Sequence, residues 1–163
     1  MIYVTVGTMF LDFPRLINAM DAIARDTGEH VIVQTGMGST LPQHCEHFAF
    51  KPREEVLDIQ RGARVVVCHA GIGCVSDALR MQRALVVVPR RKRFNEHMND
   101  HQLELARAVE ARGWGRVIHD ARDLPEACAN PPATHEDYTP ASGPLIADIK
   151  AFVDNIAARK NVR

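Results

Sequence analysis

The stretch "VVVCHAGIGCVSDAL", Val65 to Leu79, decides the fold. It opens on an unbroken β-branched run, the mark of a strand covered on both faces. The run ends at His69, two glycines follow at Gly71 and Gly73, and an apolar pattern of helical spacing then begins, with Asp77 inside it. A strand that hands over to a helix through a glycine turn is half of a βαβ unit. The helix start carries unpaired N–H groups and a partial positive charge, so an anion such as phosphate is its natural guest. The plainer alternative is that Gly71 and Gly73 simply make a tight turn. Two better-known phosphate codes are absent: neither GxGxxG nor GxxxxGK[ST] occurs, and in "TGMGST" Gly36 and Gly38 are followed by Leu41 where a third glycine would stand.

Working outward, the same alternation recurs. "IYVTV" (Ile2 to Val6) is a buried strand, and Asp12 is placed to cap a helix starting near Phe13 and Pro14, with Leu16, Ile17, Met20, Ile23 and Ala24 on one face. "HVIVQT" reads as a second strand, "HFAF" as a short third and "PREEVLDIQRG" as a helix. "RVVVCH" is the fourth strand, the helix after "GIG" runs to about Met81, and "ALVVVP" is the fifth strand. "HMNDHQLELARAVEARG", from His97, reads as a long helix and "GRVIH" as a sixth strand. This order predicts an α/β fold: a doubly wound, Rossmann-like parallel sheet with right-handed crossovers. Ligands in such folds sit outside the carboxyl ends of the strands. Gly7-Thr8, Gly36 to Gly38 and His69 to Gly73 are all expected there.

Length and composition set the bounds. With 163 residues, 46% hydrophobic and 25% charged, the chain fits one domain, residues 1–129. An extended proline-rich connector follows at 130–144, and an amphipathic carboxy-terminal helix of the same domain at 145–160, with Leu145, Ile149, Phe152, Val153 and Ile156 in a stripe. The net charge is +0, which argues against a nucleic-acid partner. "PRRKR", Pro89 to Arg93, is locally basic all the same; it is either a solvated loop or a source of cations at the ligand edge. The four cysteines lack CxxC spacing, which fits a reducing, cytoplasmic setting. No secretory signal is expected, and no apolar run approaches the roughly 20 residues of a membrane span.

"NEHMNDHQ", Asn95 to Gln102, is the other dense cluster. His97 and His101 have metal-ligand spacing if helical, yet no HExxH pattern and no third ligand accompany them, so no metal is expected. Alternatively Glu96, Asp100 and Gln102 offer hydrogen bonds to sugar hydroxyls, or the cluster is a polar helix start.

Taken in order, "HAGIGCVSDAL", "ALVVVPR" and "NEHMNDHQLELA" resemble the carboxy-terminal, donor-binding half of family 28 glycosyltransferases of the GT-B fold. The small subunits of split enzymes in the dolichol pathway and in bacterial polysaccharide synthesis are especially similar. "VTVGTMFLDFPRLINAM" extends the resemblance, which covers about Met1 to Gly113. It implies a UDP-sugar as donor substrate and no other cofactor. Gly71, Ile72, Gly73 and Cys74 would lie beside the diphosphate with His69 near them, Asp77 on the ribose, Glu96, Asp100 and Gln102 toward the sugar, and Gly7 and Thr8 along the cleft. The family more often has glutamate at the position of Asp77 and serine or threonine at that of Cys74.

The resemblance also implies a membrane-anchored, acceptor-binding partner subunit carrying a lipid-linked acceptor, because a GT-B cleft lies between two such domains. The expected product is a transferred hexose in polysaccharide or glycolipid synthesis, with the chain cytoplasmic and peripheral to the inner membrane through its partner, recruited by the carboxy-terminal helix. Candidates for the catalytic base are His69, Glu96, His97 and His101. The alternative is a non-catalytic, stimulatory scaffold subunit.

Overall fold

The computed structural model describes residues 1–135 and Tyr138. The carboxy-terminal helix expected at 145–160, and all of the connector beyond 135 except Tyr138, lie outside the described residues. Six parallel strands form one sheet: β1 (Ile2–Thr5), β2 (Val31–Gln34), β3 (Glu46–Phe48), β4 (Val65–Cys68), β5 (Ala84–Val87) and β6 (Arg116–Val117), in the order β3-β2-β1-β4-β5-β6. The order reverses direction at β1, which pairs with β2 through Ile2 and Val31 and with β4 through Ile2 and Val65. This is the doubly wound arrangement expected, with its ligand crevice at the carboxyl ends beside β1 and β4.

The β-branched runs are covered on both faces, and alternate residues feed separate cores. Ile2, Val4, Val65, Val67 and Val86 pack with Leu16, Ile17 and Met20 of α1 (Pro14–Thr27) and with Leu124 and Ala127 of α5 (Leu124–Ala129). Tyr3, Val66, Cys68, Leu85 and Val87 pack on the other face. Their partners there are Val75, Ala78 and Leu79 of α3 (Ile72–Arg80), Ala106 and Val109 of α4 (Gln102–Ala111), and Val56 and Ile59 of α2 (Arg53–Gly62). After α5 the chain reaches this second face. The Tyr138 ring stands edge-on to Trp114 with centroids 5.4 Å apart, and its hydroxyl is 3.4 Å from Ser76 Oγ on α3.

Two expectations are corrected. The helix read from His97 begins at Gln102. Asn99 Oδ1 accepts the His101 N–H at 3.2 Å and Asp100 Oδ1 accepts the Lys92 N–H at 2.9 Å, so short polar side chains hold a loop where helical bonds would otherwise form. Asp12 does not cap α1, whose N-cap is Phe13. Its carboxylate instead accepts from the Phe13 N–H, the Ser39 hydroxyl and both the N–H and hydroxyl of Thr40, tying the loop after β1 to the loop after β2. Among the described residues no helix is long and apolar enough to cross a membrane.

Candidate active site

The carboxyl ends of β1, β2, β4 and β5 deliver their loops to one edge, and the glycines there have distinct uses. Gly7 and Gly36 hold positive φ angles of 80° and 62°, which side chains rarely adopt. A Cβ on Gly7 would stand 2.5 Å from the His69 ring, one on Gly36 would stand 2.4 Å from the Gly7 carbonyl oxygen, and one on Gly71 would stand 2.2 Å from His69 Nε2. These three glycines make room for one another and for His69. Gly73 is different: nothing lies within 4 Å of the Cβ it lacks, so the space above it is open.

That open space lies over the start of α3. Gly71 is the N-cap, no side chain caps the helix, and the first intrahelical bond runs from the Val75 N–H to the Gly71 carbonyl at 3.0 Å. The amides of Ile72, Gly73 and Cys74 ahead of it form the donor set for an anion. His69 sits beside this turn with its Nδ1 buried and unpartnered. Burial above all, then the charge of Arg90, pull its pKa down to about 4, so the imidazole is neutral at physiological pH. Cys74 has its thiol pKa raised by burial and stays protonated; a thiol is a weak donor in place of a hydroxyl.

Two depressions flank the turn. The larger, about 690 Å³, is bounded by Thr8, Met9, Phe10, Met37, His69, Gly71, Ile72, His97, His101 and Gln102. The smaller, about 320 Å³, is bounded by Tyr3, Thr5, Thr8, Gln34, Phe50, Lys51, Arg53, Gly73, Cys74 and Asp77. Thr8 borders both, and the glycine turn lines the larger with Gly71 and Ile72 and the smaller with Gly73 and Cys74, so it stands between the two. In the smaller one Asp77 receives a hydrogen bond from Arg53 Nη2 at 2.9 Å, and Thr5 Oγ1 donates to Gln34 Oε1 at 2.7 Å.

His69, Gly71, Ile72, Gly73, Cys74, Asp77, Thr8 and His97 thus converge on the two hollows, with Gly7 packed beneath His69. The acidic cluster does not follow. Glu96 is 1% exposed, and its carboxylate accepts from Arg15 Nε at 2.8 Å, Arg15 Nη2 at 2.9 Å and the Arg91 N–H at 3.0 Å. It holds a loop together and has no open face for a sugar or a substrate proton. Asp100 lies outside both hollows, bonded to the Lys92 N–H. Gln102 borders the larger hollow, but its Oε1 accepts the Arg90 N–H at 3.0 Å.

His97 and His101 pack edge to face at 4.5 Å. The Asn99 N–H donates to His97 Nδ1 at 3.3 Å, so in the neutral ring the proton is on Nε2. Burial first, then His101 and Arg90, lower the His97 pKa.

The basic run is also divided. Arg90 is fully buried and donates to the carbonyls of Val6, Leu11, Asp12 and Glu96. Arg91 leans on Asp100 at 3.6 Å, and neither Lys92 nor Arg93 borders a hollow.

Met37 borders the larger hollow, as its place between Gly36 and Gly38 led one to expect, whereas Gln34, Phe50, Lys51 and Arg53 of the smaller hollow were not singled out in the sequence. The readable signal was positional: each lies at or just beyond the carboxyl end of β2 or β3, at the edge where ligands collect.

A six-stranded parallel sheet of this order, with an uncapped helix opening from its central strand onto a cleft, defines a Rossmann-like domain of the kind that forms half of a GT-B glycosyltransferase. The chain belongs to glycosyltransferase family 28: the model of that family's C-terminal domain matches residues 1–129.

The human UDP-N-acetylglucosamine transferase subunit ALG13 is 31% identical over 122 residues, 69% of this chain and 10% of that protein. The chain therefore spans about a tenth of that relative's length. The solution structure of ALG13 superposes with a TM-score of 0.56 at 16% identity, covering 82% of this chain and 87% of that one. CalG4, the calicheamicin glycosyltransferase, superposes with a TM-score of 0.61 at 22% identity, covering 80% of this chain and 34% of that one. Both likenesses are of fold.

Proposed function

We propose that this chain is the donor-binding subunit of a two-chain glycosyltransferase that moves a hexose from a UDP-sugar to a lipid-linked acceptor in polysaccharide or glycolipid biosynthesis. The observation that carries the reading is the uncapped start of α3, with open space over Gly73 and a hollow on either side. On this reading the diphosphate rests on the Ile72 to Cys74 amides, the nucleoside takes the smaller hollow beside Asp77 and Phe50, and the sugar takes the larger one beside His69 and His97. As the bond to the sugar breaks, negative charge grows on the departing UDP, and fixed amide dipoles at the helix start meet that charge without rearrangement. Neutral His69 adds a hydrogen bond and gains affinity for a proton as the phosphate arrives. His97, with its proton on Nε2, acts as a donor to the sugar. The acceptor side and the catalytic base come from a membrane-anchored partner, in keeping with the word "subunit" in the human relative's name.

One observation favours a second reading, a non-catalytic subunit that stimulates its partner: the Asp77 carboxylate is already engaged by Arg53, and Cys74 offers a weak donor. Calorimetry with UDP separates the two. Binding that is lost in Gly73→Val supports the donor site, since the valine fills the phosphate space while meeting no protein atom at its Cβ. Undiminished UDP affinity in a folded Gly73→Val protein would remove the site from the glycine turn. Absence of heat and of any thermal shift at millimolar UDP in the parent chain would favour the scaffold.

A further inference from the structure

The basic run that the nucleotide site leaves unused points to a different ligand. Of its four cations, Arg90 is buried on backbone carbonyls and Arg91 leans on Asp100, whereas Lys92 and Arg93 are exposed and form no ion pair among the described residues. They lie in a 3₁₀ turn, Lys92–Phe94, closed by Asn95 in the left-handed region at φ 57°. Two large apolar side chains share the loop with them: Phe94 is 45% exposed and Met98 is 68% exposed. Arg93 lies 4.6 Å from the centre of the Phe94 ring, so cation and ring are presented as a unit. From these features we propose that Lys92, Arg93, Phe94 and Met98 dock this chain directly on an anionic lipid bilayer.

Three features support that occupant. The pairing of unneutralised cations with exposed aromatic and thioether side chains matches an interface that is anionic outside and apolar just below. The one acid on the loop's exposed side, Asp100, is held by the Lys92 N–H and its charge is offset by Arg91 at 3.6 Å, so the loop keeps the net positive charge of Lys92 and Arg93. The turn is also preformed. Beneath it the Arg15–Glu96 pair and buried Arg90 fix the loop's base, so little ordering accompanies docking. Because the loop follows β5 at the carboxyl edge, docking there would set the larger hollow, bordered by His97, against the headgroup layer.

The proposal is independent of sugar transfer and is read without UDP. The full chain is sedimented with phosphatidylglycerol-rich vesicles and, separately, with pure phosphatidylcholine vesicles, at low and physiological salt. The expected result is binding to the anionic vesicles that weakens as salt rises. Each surface cation contributes roughly fivefold to partitioning. The doubly reversed variant Lys92→Glu/Arg93→Glu should therefore bind at least about 30-fold more weakly with an unchanged melting temperature. Arg107→Glu, on α4 outside the patch, should stay within about threefold of the parent if each cation acts locally. Phe94→Ser/Met98→Ser should weaken binding while keeping its salt dependence. Equal binding to phosphatidylcholine would overturn the proposal, as would an equal loss in Arg107→Glu. Failure to bind anionic vesicles at low salt would overturn it in favour of an acidic protein face.

Discussion

Replacing Arg90 by methionine tests the frame that holds the two hollows. The guanidinium is fully buried, and its four hydrogen bonds, 2.8 to 3.0 Å long, reach Val6, Leu11 and Asp12 in the loop after β1 and Glu96 in the loop after β5. Its Cζ lies 4.6 Å from the centre of the Phe13 ring. Burial lowers its pKa to about 10, so it is still cationic at neutral pH.

Methionine keeps much of the volume and removes the charge, leaving four carbonyls without their donor. Hydrogen bonds to charged groups contribute about 1.5–3 kcal/mol each. Three of the four share Nη1 and are not independent, and the charge no longer has to be desolvated. Each buried carbonyl left unsatisfied costs about 1–3 kcal/mol, and the saved desolvation of the charge offsets part of the sum, so the net loss expected is about 3–5 kcal/mol. For a chain of this size that corresponds to a fall in melting temperature of roughly 10–15 °C, and denaturant titration should show the same loss with an unchanged slope. Because Arg90 also depresses the His69 pKa, an imidazole proton titration by NMR should show the His69 pKa rising in the variant. Arg90→Lys should fall between, since one ammonium cannot reach carbonyls on both loops. A loss below about 1 kcal/mol in Arg90→Met would refute the reasoning, because even one unsatisfied buried carbonyl costs that much.

Further outcomes follow from the packing around His69. Gly71→Ala places a Cβ 2.2 Å from His69 Nε2. It should cost about 1–3 kcal/mol of stability by thermal melting, and an unchanged melt would show that the ring is free to move aside. The His69 pKa, about 4 when folded and near 6.5 when unfolded, fixes the sign of a pH effect. Between these values the unfolded chain binds more protons, so His69 makes stability fall as pH drops from 6.5 to 4 and contributes nothing to the slope above that range. Urea denaturation across this window should show up to about 3 kcal/mol of such loss, reduced in His69→Gln; equal slopes in both proteins would mean that the ring is not buried in the neutral form.

Much of the fold could be read because its strands are short β-branched runs, covered on both faces and each ended by a turn. The glycine turn at Gly71 to Gly73 was legible for the same reason: a strand-to-helix handover is a local event. What could not be read was long-range. Glu96 looks like one more acid in a polar cluster, and its partner Arg15 lies 81 residues away in sequence. Nothing local distinguishes Arg90 from the cations that follow it, although it alone turns inward onto loops that other strands deliver. The early helix start at His97 failed because Asn99 and Asp100 compete for backbone N–H groups that apolar periodicity does not register. Helix α5 went unnoticed despite Leu124, Ala127 and Cys128 at helical spacing, because six residues are too few to build a convincing pattern.

The tie from the Asp12 carboxylate to the Ser39 hydroxyl and to the N–H and hydroxyl of Thr40, together with the Arg90 bonds, divides each rim loop into anchored ends and a tip. Met9 and Phe10 stand between Gly7 and Asp12, Met37 between Gly36 and Ser39, and Met98 between Glu96 and Asp100. Phe10, Met37 and Met98 are each more than 60% exposed, so exchanging them should disturb stability by no more than about 0.5 kcal/mol apiece. The architecture thus keeps its frame and its contact surface on separate residues. Descendants of this chain can change what the cleft accepts by substitution at the tips, without reopening the question of how the domain folds.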